Sequence, residues 1–97
     1  MYTPLEYMAH TARSKQSLLH RVRRIRGQIE GIERLLETEC ECADVLQQIA
    51  ACRGAINSLM AEVVEGHIRF HIVKERKPVS RRRAVEELIE ITKHYLK

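Results

Sequence analysis

The stretch running from Cys42-Ala43-Asp44-Val45 to Val63-Val64-Glu65-Gly66-His67-Ile68-Arg69-Phe70-His71 decides the fold. Val45, Ile49, Cys52, Ile56, Leu59 and Val63 step by alternating four and three residues, the spacing that keeps one face of a helix apolar. A second row, Leu46, Met60, Val64, His67 and His71, runs beside it. The pattern predicts one long helix with a thiol near its start and two imidazoles, four residues apart, near its end. Both are metal-ligand types, and residues four apart share a helical face.

The separation of these groups bears on the architecture. At about 1.5 Å rise per residue, Cys42 and His67 of one continuous helix lie roughly 37 Å apart, whereas a metal holds its ligands at about 2.0 to 2.3 Å. One helix cannot close such a site. Two copies lying antiparallel about a twofold axis bring Cys42 of one chain to His67 and His71 of the other, and symmetry makes two equal sites. The axis is expected near Gly54 and Ala55, where Ala50, Ala51, Gly54 and Ala55 leave the least side-chain bulk. Taken singly, Cys42 also reads as a small apolar residue and each histidine as a solvated one; the three together favour a site.

The remainder of the 97-residue chain extends this reading. Residues 1–12, with Pro4, His10 and little periodicity, are expected to form a mobile N-terminal arm, and residues 13–97 a single helical domain. From about Ser14 to Glu37, Leu18, Val22, Ile25, Ile29, Ile32 and Leu36 again alternate in steps of four and three, predicting a first helix packed in a bundle. Thr38-Glu39-Cys40-Glu41 fits a capping box before the long helix, so the two helices form a hairpin. Near the start of that helix the dipole favours the Cys42 thiolate, while Glu39, Glu41 and Asp44 oppose it. Pro78 breaks the pattern after Lys74, and Ser80 is a candidate cap for a third helix carrying Val85, Leu88, Ile89, Ile91, Tyr95 and Leu96. Those apolar faces are too wide for a monomer to cover. An all-α three-helix subunit follows, its two long helices pairing in a dimer as an antiparallel four-helix bundle.

Composition narrows the function. There is no run of about eighteen apolar residues and no apolar core near the N-terminus, so neither a membrane span nor a secretory signal is read and a cytoplasmic location is expected. Three cysteines in such a chain argue for reduced thiols; Cys40 and Cys52 are read as structural, Cys52 because it lies on the apolar stripe. There is no glycine-rich phosphate loop, and no general base paired with a pocket that would point to an enzyme. The net charge of +4 permits a polyanionic partner, and its placement is informative, because Arg13, Lys15, Arg21, Arg23, Arg24 and Arg26 crowd the first half of helix one. A surface built on Arg13, Lys15, Arg21, Arg24 and Arg53 would meet phosphates and read duplex shape more than base edges. Arg81, Arg82 and Arg83 form a second basic cluster.

Arg21 to Gln28 (Arg-Val-Arg-Arg-Ile-Arg-Gly-Gln), Val45 to Ala51 (Val-Leu-Gln-Gln-Ile-Ala-Ala), Arg53-Gly54-Ala55, Asn57 and Leu59-Met60 together resemble the bacterial repressors of the CsoR/RcnR type. The resemblance runs from about His10 to Lys97. It implies a dimer of dimers, hence a homotetramer, that binds operator double-stranded DNA when empty and lets go when its effector binds, with a metal exporter as the implied target. Copper sensors of this type carry a cysteine four residues after the helix-two histidine, where this chain has His71. The nickel/cobalt members' ligands correspond to His10, Cys42, His67 and His71. One sulfur with several imidazoles suits nickel or cobalt, and zinc would bind the same set. Those members begin close to the first histidine, whereas Met1 to Ala9 precede His10 here; a start at Met8 would place the amino group beside it. The alternative effector is formaldehyde, captured by Cys42. Relatives that do this place proline directly after the initiator methionine, and neither Met1 nor Met8 is followed by one.

Overall fold

The computed structural model describes residues 15–96, and among these there is no strand. The elements are α1 (Lys15–Glu37), α2 (Cys42–His67), a π-helical segment (Ile68–Val73) and α3 (Pro78–Tyr95). None of the helices among the described residues is long and apolar enough to cross a membrane. The expected N-terminal arm, with His10, and Arg13 lie outside the described residues. The rest forms two compact units, residues 15–61 and residues 62–96.

In the first unit α1, of 23 residues, and most of α2 form the expected hairpin. A Cβ built on Gly31 would stand 3.5 Å from Nε2 of Gln48, so the helices approach one another here, six residues from either side of the link. The apolar stripe of α1 resolves into two rows of heptad spacing. Leu18 and Ile32 are half-buried and Ile25 is only 8% exposed, whereas Val22, Ile29 and Leu36 are 46%, 52% and 67% exposed. α2 repeats the division: Val45 and Leu59 are half-buried and Cys52 is 6% exposed, while Ile49 and Ile56 stay open. One row of each helix faces inward and the other is left uncovered, because two helices can enclose only one seam.

The link differs from the expected capping box. Thr38 turns back to close α1: its hydroxyl and its backbone N–H both donate to the Leu35 carbonyl, at 3.1 and 3.2 Å. The Cys40 thiol donates to the same oxygen at 2.9 Å. The final carbonyls of a helix lack intrahelical donors, and these three groups supply them to one such carbonyl. α2 opens instead on backbone bonds, from the N–H groups of Asp44 and Val45 to the Glu41 carbonyl.

In the second unit the chain stays helical to Val73, close to where the long helix was expected to end, but after His67 it winds more widely. The Lys74 N–H reaches back five residues to the Arg69 carbonyl, at 3.1 Å. Ile68, Phe70, Ile72 and Val73 are β-branched or aromatic and crowd an α-helical turn. The Lys74 ammonium sits 4.6 Å from the centroid of the Phe70 ring. Arg81 then fixes the turn, donating from Nε and Nη2 to the Glu75 carbonyl at 3.2 and 2.9 Å. α3 does not start at a Ser80 cap. It begins two residues earlier with Pro78 at its first turn, where the missing N–H costs nothing and the ring presets φ. α3 packs on the π-helical segment, burying Ala84 and half-burying Val85 and Leu88, while Ile89, Ile91, Tyr95 and Leu96 remain exposed.

Candidate metal centre and nucleic-acid interface

The long helix separates the expected ligands. Cys42 is the first residue of α2 and its thiol is exposed. His67 is the last residue of that helix and His71 lies in the π-helical segment; both are half-buried. Their ring centroids are 5.4 Å apart with the planes tilted by 58°. That spacing lets one ion reach a nitrogen of each ring at the usual bond length of about 2.0–2.1 Å.

The two imidazoles are prepared differently. Nε2 of His67 lies 2.9 Å from the Ala84 carbonyl of α3. A carbonyl only accepts, so Nε2 carries the hydrogen and Nδ1 keeps its lone pair for a ligand. Metal-bound histidines are commonly oriented by such a bond from the second nitrogen. Burial pushes the pKa of His71 below its ordinary value near 6.5, and neighbouring His67 acts in the same direction against the carboxylates of Glu75 and Glu87. His71 is thus held in the neutral form that binds metal. The pair fits a metal chemically and is incomplete by itself, since no three His, Cys, Asp or Glu side chains converge among the described residues.

Beside the pair runs an open groove lined by His67, Arg83, Glu86, Glu87, Glu90 and Ile91. Sequence reasoning missed the Ala84 carbonyl, because nothing about an alanine marks its backbone oxygen as a partner. It also left Glu75 and Glu87 unplaced: Glu75 follows the π-helical segment in the turn before α3, and Glu87 reaches His71 from α3 itself. Cys52 is buried, as its place on the stripe predicted, and Cys40 is exposed with its thiol on the end of α1. Of the remaining histidines, His20 is exposed and His94 meets the Glu90 carboxylate at 3.2 Å.

The basic candidates occupy the hairpin unit. Lys15 and Arg24 on α1 and Arg53 on α2 are exposed, and Arg21 is half-buried and engaged within the chain. Arg21 and Arg24, three residues apart, project from the same side of α1. No acidic residue stands in the first turn of that helix. Lys15 in that turn therefore opposes the positive end of the macrodipole, which an anionic partner would offset.

Comparison with known proteins agrees with the fold. A model of the metal-sensitive transcriptional repressor family matches residues 14–94. The chain is 50% identical over 91 residues to an uncharacterized protein encoded in the bioA 5′ region of Serratia marcescens, covering 93% of this chain and 100% of that one. It is 44% identical over 90 residues to the transcriptional repressor RcnR of Citrobacter koseri, again over 93% and 100%. Among solved structures, a variant of the formaldehyde-responsive regulator FrmR from Salmonella enterica serovar Typhimurium superposes with a TM-score of 0.79 at 45% identity, over 86% of this chain and 94% of that one. Helical and without strands among the described residues, with its histidine pair where the long helix passes into the π-helical segment and a family match spanning nearly every described residue, the chain belongs to the metal-sensitive transcriptional repressors, a family of regulators and not of enzymes.

Proposed function

We propose that this chain, as a cytoplasmic homotetramer, holds operator double-stranded DNA when metal-free and releases it on binding nickel or cobalt, so controlling metal efflux or resistance genes. The observation that carries the reading is the histidine pair: His67 tied by Nε2 to the Ala84 carbonyl, with His71 kept neutral beside it. His10, Cys42, His67 and His71 would hold the ion, with His67 and His71 from one chain and Cys42 from a second. Their single sulfur and three imidazoles suit a borderline divalent cation, zinc included, better than copper(I). Bound there, the ion supplies a compact positive charge and a fixed coordination geometry that ties two chains together. Because His67 also holds α3, the pair links the ion to the helix that docks on the π-helical segment. The uncovered rows of α1 and α2 support the four-helix pairing that brings Cys42 to the other chain, and the dimer of dimers rests on the family resemblance. Arg13, Lys15, Arg21, Arg24 and Arg53 form the proposed phosphate-contacting set.

The exposed Cys42 thiol and the similarity to FrmR favour a second reading, release by formaldehyde captured at Cys42. Titration of the metal-free protein bound to the promoter duplex preceding its own gene separates the two. Nickel or cobalt releases the duplex on the first reading; formaldehyde alone does so on the second. His71→Ala should keep DNA binding and lose metal-induced release, and normal release by that variant at the same free metal would remove His71 from the sensing set. By reciprocity the duplex must weaken metal binding by the same factor.

Shared ligation has its own test. Cys42→Ala and His67→Ala homodimers each lack complete sites, whereas the mixed dimer unites the intact Cys42 of one chain with the intact His67 of the other. Coexpression with two tags should restore one cobalt–thiolate absorption band per dimer. No metal binding by properly formed mixed dimers would refute the shared site.

A further inference from the structure

The basic cluster at the start of α3 lies outside the proposed ligand set and the proposed contacts of α1 and Arg53. Lys74, Arg76, Lys77, Arg81, Arg82 and Arg83 place six of the chain's 17 lysines and arginines within ten residues, with Glu75 the single acid among them. All six are exposed. Three have local tasks: Lys74 covers the Phe70 ring, Arg81 holds the Glu75 carbonyl, and Arg83 lines the groove beside His67. Arg76, Lys77 and Arg82 hold no ion pair among the described residues, where the ion pairs involve Arg69, Lys93 and His94. The two bonds from Arg81 to the Glu75 carbonyl make the turn that carries them a fixed platform.

Local energetics disfavour this placement. The first turn of α3 holds no acidic residue and its N-cap is Lys77, whose N–H donates to the Glu75 carboxylate at 3.0 Å. Cations at a helix N-terminus repel the positive end of the macrodipole, typically by about 0.3–1 kcal/mol each at an exposed site. Glu75 is the single acid set against these six cations, and a sequence that breaks a local rule with so little internal compensation points to a partner outside the chain.

From this cluster we infer a second phosphate-contacting surface, made by Arg76, Lys77 and Arg82, that engages the same DNA duplex in addition to the proposed contacts of α1 and Arg53. The inference rests on the repressor reading. It gives this turn a role in affinity and salt dependence, not in base recognition, because three exposed cations beside a helix start offer phosphate charge and little shape to a base edge.

The test is fluorescence anisotropy of the metal-free protein on its promoter duplex across a salt series. The Arg76→Ala/Lys77→Ala/Arg82→Ala variant is compared with wild type and with Arg24→Ala. The slope of log affinity against log salt should flatten by about 1 for each phosphate that is no longer neutralised. The variant with Arg76→Lys and Arg82→Lys should keep the wild-type slope, since a phosphate responds to the charge that meets it. Circular dichroism and nickel binding of both variants should match the wild type. A triple-variant slope equal to wild type, with Arg24→Ala flattened, would overturn this surface and leave the repressor reading standing. An unchanged DNA slope with lost binding to vesicles of acidic phospholipid would assign the patch to a membrane surface and overturn it equally. Absence of salt-dependent duplex binding by the wild type would overturn both readings.

Discussion

Ile29→Ala distinguishes a solvated outer row from an interface. Ile29 lies at the middle of the uncovered row of α1 and is 52% exposed. The substitution removes three carbons, worth roughly 2.4 kcal/mol at about 0.8 kcal/mol per buried methylene. About half of that, ~1.2 kcal/mol, is available to a second chain. Twofold symmetry doubles it to about 2.4 kcal/mol per dimer, which weakens association roughly 50-fold. The other half falls within the hairpin and is partly offset by alanine's better helix propensity, a matter of a few tenths of a kcal/mol. Sedimentation equilibrium should show the shift in association, and the loss in melting temperature should shrink as protein concentration rises. Ile25→Ala is the control, because Ile25 is 8% exposed and offers a partner almost nothing. Its cost, about 2–5 kcal/mol for a buried isoleucine, should fall on the hairpin without a matching change in association. If Ile29→Ala leaves the association constant within about twofold of wild type, the outer row is simply solvated and the four-helix pairing is wrong.

Gly54→Ala tests the twofold axis: a Cβ there meets nothing within 4 Å in this chain, so an unpaired helix should gain up to about 1 kcal/mol, whereas close packing of two α2 helices turns the gain into a loss of oligomer stability. Denaturant titration read against sedimentation decides the sign. For His71, the folded protein holds the pKa below the ordinary value, so the unfolded chain binds the proton more readily; its contribution to stability is present above pH ~6.5 and is lost as pH falls through the folded value. Metal-free melts should show this loss below pH ~6.5, and His71→Gln should abolish that part of the slope. Arg81→Ala removes both bonds to the Glu75 carbonyl and should cost about 1 kcal/mol, with Arg81→Lys recovering little because an ammonium cannot reproduce the fork; hydrogen exchange at residues 74–77 is the direct readout.

The α1 stripe was legible to within a residue of its observed start because its steps of four and three persist over the whole helix. Periodicity marks a side chain as apolar without naming what it packs on, so Leu18, Ile25 and Ile32 read the same as Val22, Ile29 and Leu36. Only the hairpin separates them. The local errors share a cause. Thr38 and Ser80 carry hydroxyls that can serve either end of a helix, and a motif read forwards cannot show that Thr38 turns back to the Leu35 carbonyl or that Pro78 has already opened α3. The widened turn after His67 left no signal, since β-branched and aromatic residues are also common in ordinary buried helices.

The candidate centre divides along a similar line. The i,i+4 spacing of His67 and His71 could be read directly, and the rings stand within reach of one ion even though the helix widens between them. What spacing could not carry was the state of each ring. The donor role of His67 Nε2 depends on a backbone oxygen 17 residues away, and the lowered pKa of His71 depends on burial and on the neighbouring His67. Of the two, the bond from His67 is the one that ties a ring directly to α3. A change that lifts α3 from the π-helical segment should therefore free the His67 tautomer and weaken that ligand without touching it. This coupling runs both ways: whatever favours the ligating form of His67 also favours docked α3, the kind of differential stabilisation through which a bound effector can select one conformation of a repressor over another.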